Sequence, residues 1–456
     1  MVQQQTPPIR ARGVWAGAAS LLALALAAGG ATPAMAVPSF AQQTGLPCQN
    51  CHVGGFGPQL TPFGRDFKLH GYTQRAGDKF TMPFSAMAVA SYVHTQVDQA
   101  PTPGFSANNN VALDQVSVFF ATGLGAHVGA FIQGTYDGVA KAWSWDNLDV
   151  RATTTVQVKD TPVLLGVSLN NSPTVQDAWN TLPAWGYPYT GSALAPSPSA
   201  GPLLGGALAQ TTLGLTGYAW INSQVYLEAG FYGTPRAATL TTLGADPTSP
   251  GSFHGVAPYG RVAYQRMVGP GTLEVGAFGM QASIYPGRDT STGMTDKYRD
   301  LGLDASYIVT LGDGDVITVN SRYIDERQTL DYSSLPLIGL AQNRNNSLKD
   351  FRADASYYWR NKVGATVGVF RTTGSADPLL YGGNRTLKPD STGVLLQADA
   401  TPFGDGKGPL APWANLRVGV QYTFYPQYNG ARHNWDGAGA NASDNNTFRV
   451  FTWIAF

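Results

Sequence analysis

The sequence ends in TFRVFTWIAF, residues 447–456, and this stretch alternates between two kinds of side chain. Apolar residues share one parity and polar residues take the other: Phe448, Val450, Ile454 and Phe456 against Thr447 and Arg449. Successive side chains of a β-strand point to opposite faces of its sheet. The stretch therefore predicts a strand with one apolar and one polar face.

The same alternation recurs upstream, in residues 351–360 and 414–427. Charged residues in these segments, such as Arg352 and Arg417, fall on one parity only. One face would then meet lipid and the other a polar lumen, as in a membrane β-barrel. The final Phe456 also resembles the C-terminal signal of bacterial outer-membrane barrels, whose last strand closes on a phenylalanine.

Segments of this kind follow one another from Phe84 to the end of the chain. We count sixteen, at residues 84–97, 112–124, 127–138, 145–156, 161–169, 208–218, 222–233, 258–267, 271–283, 297–309, 314–326, 349–360, 362–372, 391–402, 414–427 and 446–456. An even number is typical of single-chain bacterial barrels. We therefore predict an all-β fold, a transmembrane outer-membrane barrel of about sixteen antiparallel strands over residues 84–456. A β-sandwich is the alternative, which this length of meander disfavours.

The connections between these segments alternate in length. Tight turns such as residues 311–315 and 360–362 follow even-numbered strands. Long polar loops follow odd-numbered strands, at residues 170–207, 234–257, 327–348, 373–390 and 428–445. Short periplasmic turns and long external loops are the rule in outer-membrane barrels. Both ends of the barrel would then lie on the periplasmic side.

The composition excludes several functions. Twenty-nine basic residues balance twenty-nine acidic ones and charged residues make up 13% of the chain, so no basic surface is available for nucleic acid. No Ser-His-Asp set, paired glycosidase carboxylates or phosphate-binding glycine motif stands out. Hydrolytic and nucleotide chemistry therefore have no support.

The N-terminus has the features of a secretory signal peptide. Arg10 and Arg12 precede an apolar run over residues 14–28, and Ala34-Met35-Ala36 matches a cleavage site. We predict that residues 1–36 are removed and that the mature chain is exported. Elsewhere no run approaches the roughly 18 apolar residues that a membrane helix needs.

The stretch CQNCH, residues 48–52, holds the only two cysteines of the chain. This spacing is the one used for covalent c-type haem attachment, with the thiols binding the haem vinyl groups and the histidine binding iron. We predict one haem c held by Cys48, Cys51 and His52. A structural zinc site needs four ligands, and only His52 lies near the two cysteines to help. A thioredoxin-like dithiol remains the alternative.

Residues 37–83 form the predicted haem segment. It is too short to build a stable core of its own unless a bound group such as the haem stabilises it. We expect it to fold around the haem and to dock at the periplasmic mouth or plug the barrel. We predict His70 as the sixth iron ligand, with Met82, Met87 and His94 as the alternatives; a methionine would raise the potential relative to a second histidine.

In the first predicted strand, His94 has the parity that we assign to the lumen. The opposite parity carries Met87, Val89 and Val93. On this assignment His94 could face the haem or a metal ion, while the other three would face lipid.

Several short motifs together resemble the fused monohaem cytochrome-porins. They are residues 38–41 (PSFA), 43–45 (QTG), 60–69 (LTPFGRDFKL), 71–72 (GY), 170–180 (NNSPTVQDAWN) and 183–186 (PAWG). The resemblance spans essentially the whole mature chain. It implies an outer-membrane electron conduit, in which extracellular Fe(II) passes electrons through the haem to a periplasmic c-type cytochrome.

The implied activity is that of an Fe(II):cytochrome c oxidoreductase. The alternative is a diffusion porin whose haem-bearing plug gates the channel or senses redox state. Four carboxylates with lumen parity, Asp300, Asp304, Asp354 and Asp399, could pass Fe(II) inward or could simply belong to a polar barrel lining.

The long loop over residues 170–207 is rich in aromatic residues: Trp179, Trp185, Tyr187 and Tyr189. Two arrangements are open for it. The loop could fold into the channel as a constriction, or these side chains could only pack the loop against itself.

Overall fold

The structure, a computed structural model, describes residues 39–77, 81–409 and 414–456. The predicted signal peptide, residues 1–36, lies outside the described residues. β-Strands make up most of the regular structure. Within the described ranges, no helix is both long and apolar enough to cross a membrane.

The strands form one antiparallel sheet that closes on itself. Their bounds are β1 Phe84–Thr95, β2 Asn110–Gly123, β3 Val128–Asp137, β4 Ala142–Val158, β5 Thr161–Asn170, β6 Leu213–Ile221, β7 Val225–Gly233, β8 Ser252–Phe253, β9 Ala257–Val268, β10 Gly271–Tyr285, β11 Asp296–Leu311, β12 Asp315–Leu330, β13 Asn345–Trp359, β14 Val363–Gly374, β15 Ser391–Ala400, β16 Asn415–Gln427 and β17 Thr447–Ala455. The two-residue β8 pairs only with the end of β10. The other sixteen form a ring, with β7 paired to β9 and β1 to β17. The predicted all-β, sixteen-stranded antiparallel barrel is confirmed.

Four short helices occur in addition to the strands. They are α1 Ser39–Thr44, α2 Cys48–Cys51, α3 Pro62–Leu69 and α4 Ala237–Thr242. Single 3-10 turns occur at Pro183–Trp185, Leu203–Gly205, Pro286–Arg288 and Ala442–Asn445. The first three helices belong to the stretch before β1, residues 39–77, which we call the N-terminal segment.

The connections at the two ends of the barrel differ in length, as predicted. One end has short turns such as residues 159–160, 222–224 and 312–314. The other end carries long loops such as residues 171–212 and 234–256. Two connections depart from the rule: residues 138–141 are short at the long-loop end, and residues 401–414 are long at the short-turn end.

The outer surface of the ring is apolar. Large apolar side chains are exposed on the outward parity of strands all around it, among them Val118, Leu165, Phe231, Leu303, Val367 and Val420. Inward positions of the same strands carry polar side chains such as Ser117, Ser168, Asp304 and Gln421. The alternation seen in the sequence therefore separates an apolar exterior from a largely polar interior.

The N-terminal segment lies inside the barrel. Its side-chain and backbone groups hydrogen-bond to inward residues of four strands on different sides of the ring: Tyr72 to Asp149, Arg65 to Ser306, Gln59 to Thr318, and the Phe56 carbonyl to Arg417. Those strands are β4, β11, β12 and β16. Contacts to both sides of the ring mean that the segment spans the lumen.

The loop between β5 and β6, residues 171–212, also enters the lumen. Trp179 is fully buried and donates from Nε1 to Gln265 on the barrel wall, at 2.7 Å. The backbone N–H groups of Leu203 and Leu204 donate to Glu326 and Asp300. Of the two arrangements left open by the sequence, the inward-folded constriction is the correct one.

The parity that we assigned to β1 is wrong. Val89 and Val93 are buried inside the barrel, whereas His94 is exposed on the outside and contacts Asn109 through Nδ1, at 2.9 Å. The reason is that the filled lumen is locally apolar: Val89 packs with Phe56 of the N-terminal segment. The apolar side chains of a strand therefore indicate its lipid-facing side only where the lumen is filled with water.

The last residue contributes directly to closure of the ring. Phe456 and Ala86 exchange two backbone hydrogen bonds, of 2.8 and 2.6 Å. Deletion of Phe456 removes both bonds and an exposed aromatic side chain, so we expect a lower yield of folded barrel, measured as the heat-modifiable band on gels. Phe448→Ala is the control, because it removes an outward aromatic of β17 but leaves the backbone pairing. Equal yields for the deletion and the wild type would contradict the assignment.

Candidate cofactor-binding site

A cavity lies between the N-terminal segment and the barrel wall formed by β1, β2, β3 and β17. Cys48, Cys51 and His52 all line it. Most of the remaining lining is apolar, including the aromatic side chains Phe40, Phe56, Phe67, Phe119, Phe131, Trp185 and Trp453. The sequence motif therefore faces an apolar cavity rather than solvent.

The two thiols are positioned by a single helical turn, α2. Residues three apart on a helix lie on the same face. The turn is fixed to the barrel because the Gln49 N–H donates to the Gly404 carbonyl at the short-turn end, at 3.1 Å. Both cysteines are free.

His52 follows α2 in an extended conformation. Its backbone N–H donates to the Cys48 carbonyl, and its own carbonyl accepts from the Asn361 side chain, both at 2.9 Å. The ring atom Nδ1 is buried and has no hydrogen-bond partner among the described residues. Burial lowers the pKa of His52 to about 4. The imidazole is therefore neutral, the form that binds metals.

The thiols have the opposite tendency. Burial raises the pKa of Cys48 and raises the pKa of Cys51 to about 12. Thiol–disulfide exchange needs a thiolate at ambient pH. The site therefore lacks the lowered thiol pKa that the thioredoxin-like alternative requires.

The helix α3 closes one side of the site. Thr61 caps its start by accepting a hydrogen bond from the Gly64 N–H, at 3.2 Å. Gly64 lets α3 approach α2 closely, because a Cβ at this position would overlap the carbonyl oxygen of Cys51. A glycine is required here for steric reasons.

Lys68, on α3, is a buried cation at the edge of the cavity. Its Nζ donates to the Val175 carbonyl at 2.7 Å and lies 4.6 Å from the Trp185 ring centroid. It forms no ion pair with any described residue. Burial, together with the nearby Arg151, lowers the pKa of Lys68 to about 7. The cavity is thus suited to a ligand that carries a negative group.

The loop between β5 and β6 holds the N-terminal segment in place through Asn180. Its Oδ1 accepts from the Leu60 N–H and its Nδ2 donates to the Pro58 carbonyl, both at 2.7 Å. Asn180 is almost fully buried and lines the cavity. Sequence reasoning did not single out either Asn180 or Lys68 as a site residue, because their roles arise from contacts between distant parts of the chain.

The four candidates for a sixth iron ligand lie in different places. His70 caps the end of α3, where its Nδ1 is 2.9 Å from the Asp66 carbonyl and 3.2 Å from Asp66 Oδ1. It does not line the cavity, and neither do Met82 and His94. Met87 does line it. The structure therefore brings Met87, and not His70, into the cavity that contains His52.

The four carboxylates suggested for Fe(II) transfer all point into the barrel, and side chains or backbone amides engage them there. Asp304 accepts from Arg261 and Thr181, Asp399 from Arg417 and Tyr358, Asp354 from Asn320, and Asp300 from the Leu204 N–H. No group of three or more His, Cys, Asp or Glu residues within the described ranges could hold a metal ion. Asp300 and Asp304 hold the inward loop through Leu204 and Thr181, whereas Asp354 and Asp399 bond to other residues of the barrel wall.

No protein-family model matches the sequence, and no curated protein matches it. Solved structures that align with it include the anion-selective porin from Comamonas acidovorans, with 13% identity, a TM-score of 0.45, and coverage of 82% of this chain and 97% of the porin. The outer membrane channel DcaP of Acinetobacter baumannii has 11% identity, a TM-score of 0.44 and coverage of 85% and 99%. OmpT of Vibrio cholerae has 10% identity, a TM-score of 0.43 and coverage of 82% and 98%. All three TM-scores lie below 0.5, so the evidence for the barrel is the strand pairing described above.

Asn180→Ala should loosen the N-terminal segment, because it leaves the partly buried Leu60 N–H and Pro58 carbonyl without these partners. Each unpaired group costs about 1–3 kcal/mol. We expect faster tryptic cleavage at Arg65 and Lys68, read by mass spectrometry of the intact barrel. Gln224→Ala, in an exposed short turn, is the matched control. Cleavage rates equal to that control would show that Asn180 does not hold the segment.

Proposed function

We propose that this chain is a monohaem electron conduit of the bacterial outer membrane. In this proposal one haem c is bound through Cys48, Cys51 and His52. The electron donor is extracellular, with Fe(II) favoured, and the acceptor is a periplasmic c-type cytochrome or another soluble carrier. The mature chain comprises a haem segment, residues 37–83, and a barrel, residues 84–456.

The apolar outer surface supports the membrane location. A closed ring leaves no free strand edge, so the backbone polar groups of the strands pair within the sheet, as hydrocarbon requires. Many apolar side chains on the outside of the ring are exposed, and Leu215 and Phe231 are each more than half exposed. So large an apolar surface would be costly in water but is suited to lipid. These two features together support contact with outer-membrane lipid.

The residues of the cavity meet the chemical requirements of a covalent haem. The two thiols share one helical turn, and His52 is neutral with an unpartnered ring nitrogen. The surrounding lining is mostly apolar, and Lys68, which has no carboxylate partner among the described residues, would pair with a propionate group. When bound, haem c supplies a one-electron iron couple, so that one Fe(II) loses an electron for each electron the acceptor gains.

The filled lumen is the single observation that favours a conduit over an open porin. Inward side chains that would line a water channel, such as Arg151, Glu274 and Tyr358, are fully buried. The N-terminal segment and the loop over residues 171–212 cover them. This burial leaves little of the described lumen lining open to solutes, whereas electron transfer needs no open channel.

The position of the site at the short-turn end supports the periplasmic acceptor. Gly404 and Asn361, which hold α2 and His52, belong to connections at that end. Short turns face the periplasm in outer-membrane barrels. The choice of Fe(II) as the donor rests on the family resemblance of the N-terminal motifs.

A diffusion porin whose haem-bearing plug gates the channel is the second candidate. The size of the ring favours it, because sixteen strands enclose a channel wide enough for solutes once nothing fills it. This function would require the N-terminal segment to leave the lumen. It would have to break the hydrogen bonds to β4, β11, β12 and β16.

Solute flux separates the two candidates. Liposomes that contain the purified full-length protein should retain small sugars in both redox states, because buried side chains fill the lumen. Liposomes with an open porin serve as the positive control. Sugar efflux at a porin-like rate, in either redox state, would favour the gated porin.

Loss of the thiols should abolish covalent haem attachment. We expect Cys48→Ala/Cys51→Ala to lose haem staining on denaturing gels while the heat-modifiable barrel persists, because the strand pairing does not involve either thiol. Asn50→Ala is the matched control, since Asn50 is the exposed residue between the thiols. Full haem staining of the double variant would refute the attachment site.

Stopped-flow mixing of the wild-type protein with Fe(II), across pH, then tests the donor. We expect Fe(II) to reduce the haem on the time scale of the mixing experiment. The rates obtained with other reductants serve as the reference. A haem that stays ferric in excess Fe(II) at every physiological pH would remove iron oxidation from the proposal.

A further inference from the structure

We infer that Met87 is the sixth ligand of the haem iron. The inference rests on the proposed function, in which the haem is bound at Cys48, Cys51 and His52. It replaces the sequence-based choice of His70 with a residue that lies in a different element, on the first strand of the barrel.

Position in the cavity narrows the choice. Histidine and methionine are the common protein ligands that share iron with the histidine of a c-type haem. All six histidines and five of the seven methionines fall in the described residues. Of these, only His52 and Met87 line the cavity that contains both thiols.

Met87 is held rigidly. It pairs with Ala455 on β17 and with Ser117 on β2, so its backbone is fixed on both sides. Its side chain packs in a cluster with Cys48, Phe56 and other apolar residues of the site. A ligand on a paired strand holds its position better than one on a loop.

The sulfur of Met87 is already oriented. The Trp453 indole donates from Nε1 to Met87 Sδ at 3.1 Å. A thioether sulfur is a weak acceptor with two lone pairs, and this bond engages one of them. The second remains available to the iron, and Trp453 sets the direction in which it points.

His70 is committed elsewhere. Both of its contacts are to Asp66, one turn earlier on α3, and about a third of its side chain is exposed. To reach the iron it would have to break those contacts and leave the helix end. Lys68 is the one other lining residue with a side-chain amine, but its Nζ is bound to the Val175 carbonyl.

A thioether ligand has a defined chemical effect. Methionine stabilises the reduced iron and raises the reduction potential relative to a second imidazole. A conduit that accepts electrons from a weak extracellular reductant needs such a raised potential. The Trp453 bond would tune the potential further, because a hydrogen bond to a ligand atom changes the electron density on that ligand.

The test uses the purified full-length haem protein. Wild type should show the far-red charge-transfer band of a ferric thioether complex, together with a low-spin electron paramagnetic resonance signal. Met87→Leu, which is close in volume, should lose that band, become high-spin or recruit a new ligand, and have a lower midpoint potential. Met87→His should restore a low-spin signal of bis-histidine type.

His70→Ala and Met82→Leu are the matched controls, and both should keep the wild-type spectrum. An unchanged spectrum in Met87→Leu would overturn the inference, and loss of the signal in His70→Ala or Lys68→Met alone would transfer the role to that residue. The heat-modifiable band verifies that each variant folds. A wild-type protein without covalent haem would refute the proposed function itself, so the two failures are distinguishable.

Discussion

Hydrogen bonding of the backbone around the whole ring is the constraint on which the rest of the structure depends. Each of the sixteen barrel strands is hydrogen-bonded to a strand on either side. The pairing of β1 with β17 removes the last free edge. A closed ring fixes which parity of every strand points inward. The apolar exterior, the polar interior and the enclosed site all follow from that single closure.

Filling the ring imposes a second requirement, because inward charges lose water when the N-terminal segment and the loop over residues 171–212 enter. Most of these charges have close partners. Arg151 pairs with Asp149 and Arg417 with Asp399, both at 2.8 Å. Buried ions are tolerated only when paired. Lys68 has a carbonyl and an aromatic ring instead, and it is this imbalance that marks the cavity beside the thiols.

The sequence alone was sufficient for the barrel. Strands alternate with a strict period of two, and each of the sixteen predicted segments matches a strand, because this signal is local. It misled in β1, where both faces are moderately apolar and the inward one meets Phe56. Proximity along the chain led us to predict His70 as the sixth iron ligand, and this stays a prediction. Met87 and Lys68 acquire their surroundings from β17 and from the loop over residues 171–212, and no local pattern carries that information.

The bonds between Asn361 and the N-terminal segment have a consequence for the order of biogenesis. Asn361 accepts from the Gly54 N–H, 307 positions earlier, and donates to the His52 carbonyl. The segment therefore reaches its final place only after the distant turn that carries Asn361 has formed. In that place the thiols are enclosed by the barrel. Under the proposed function, haem must be attached while the chain is still open in the periplasm, and the last strand then seals the cofactor in.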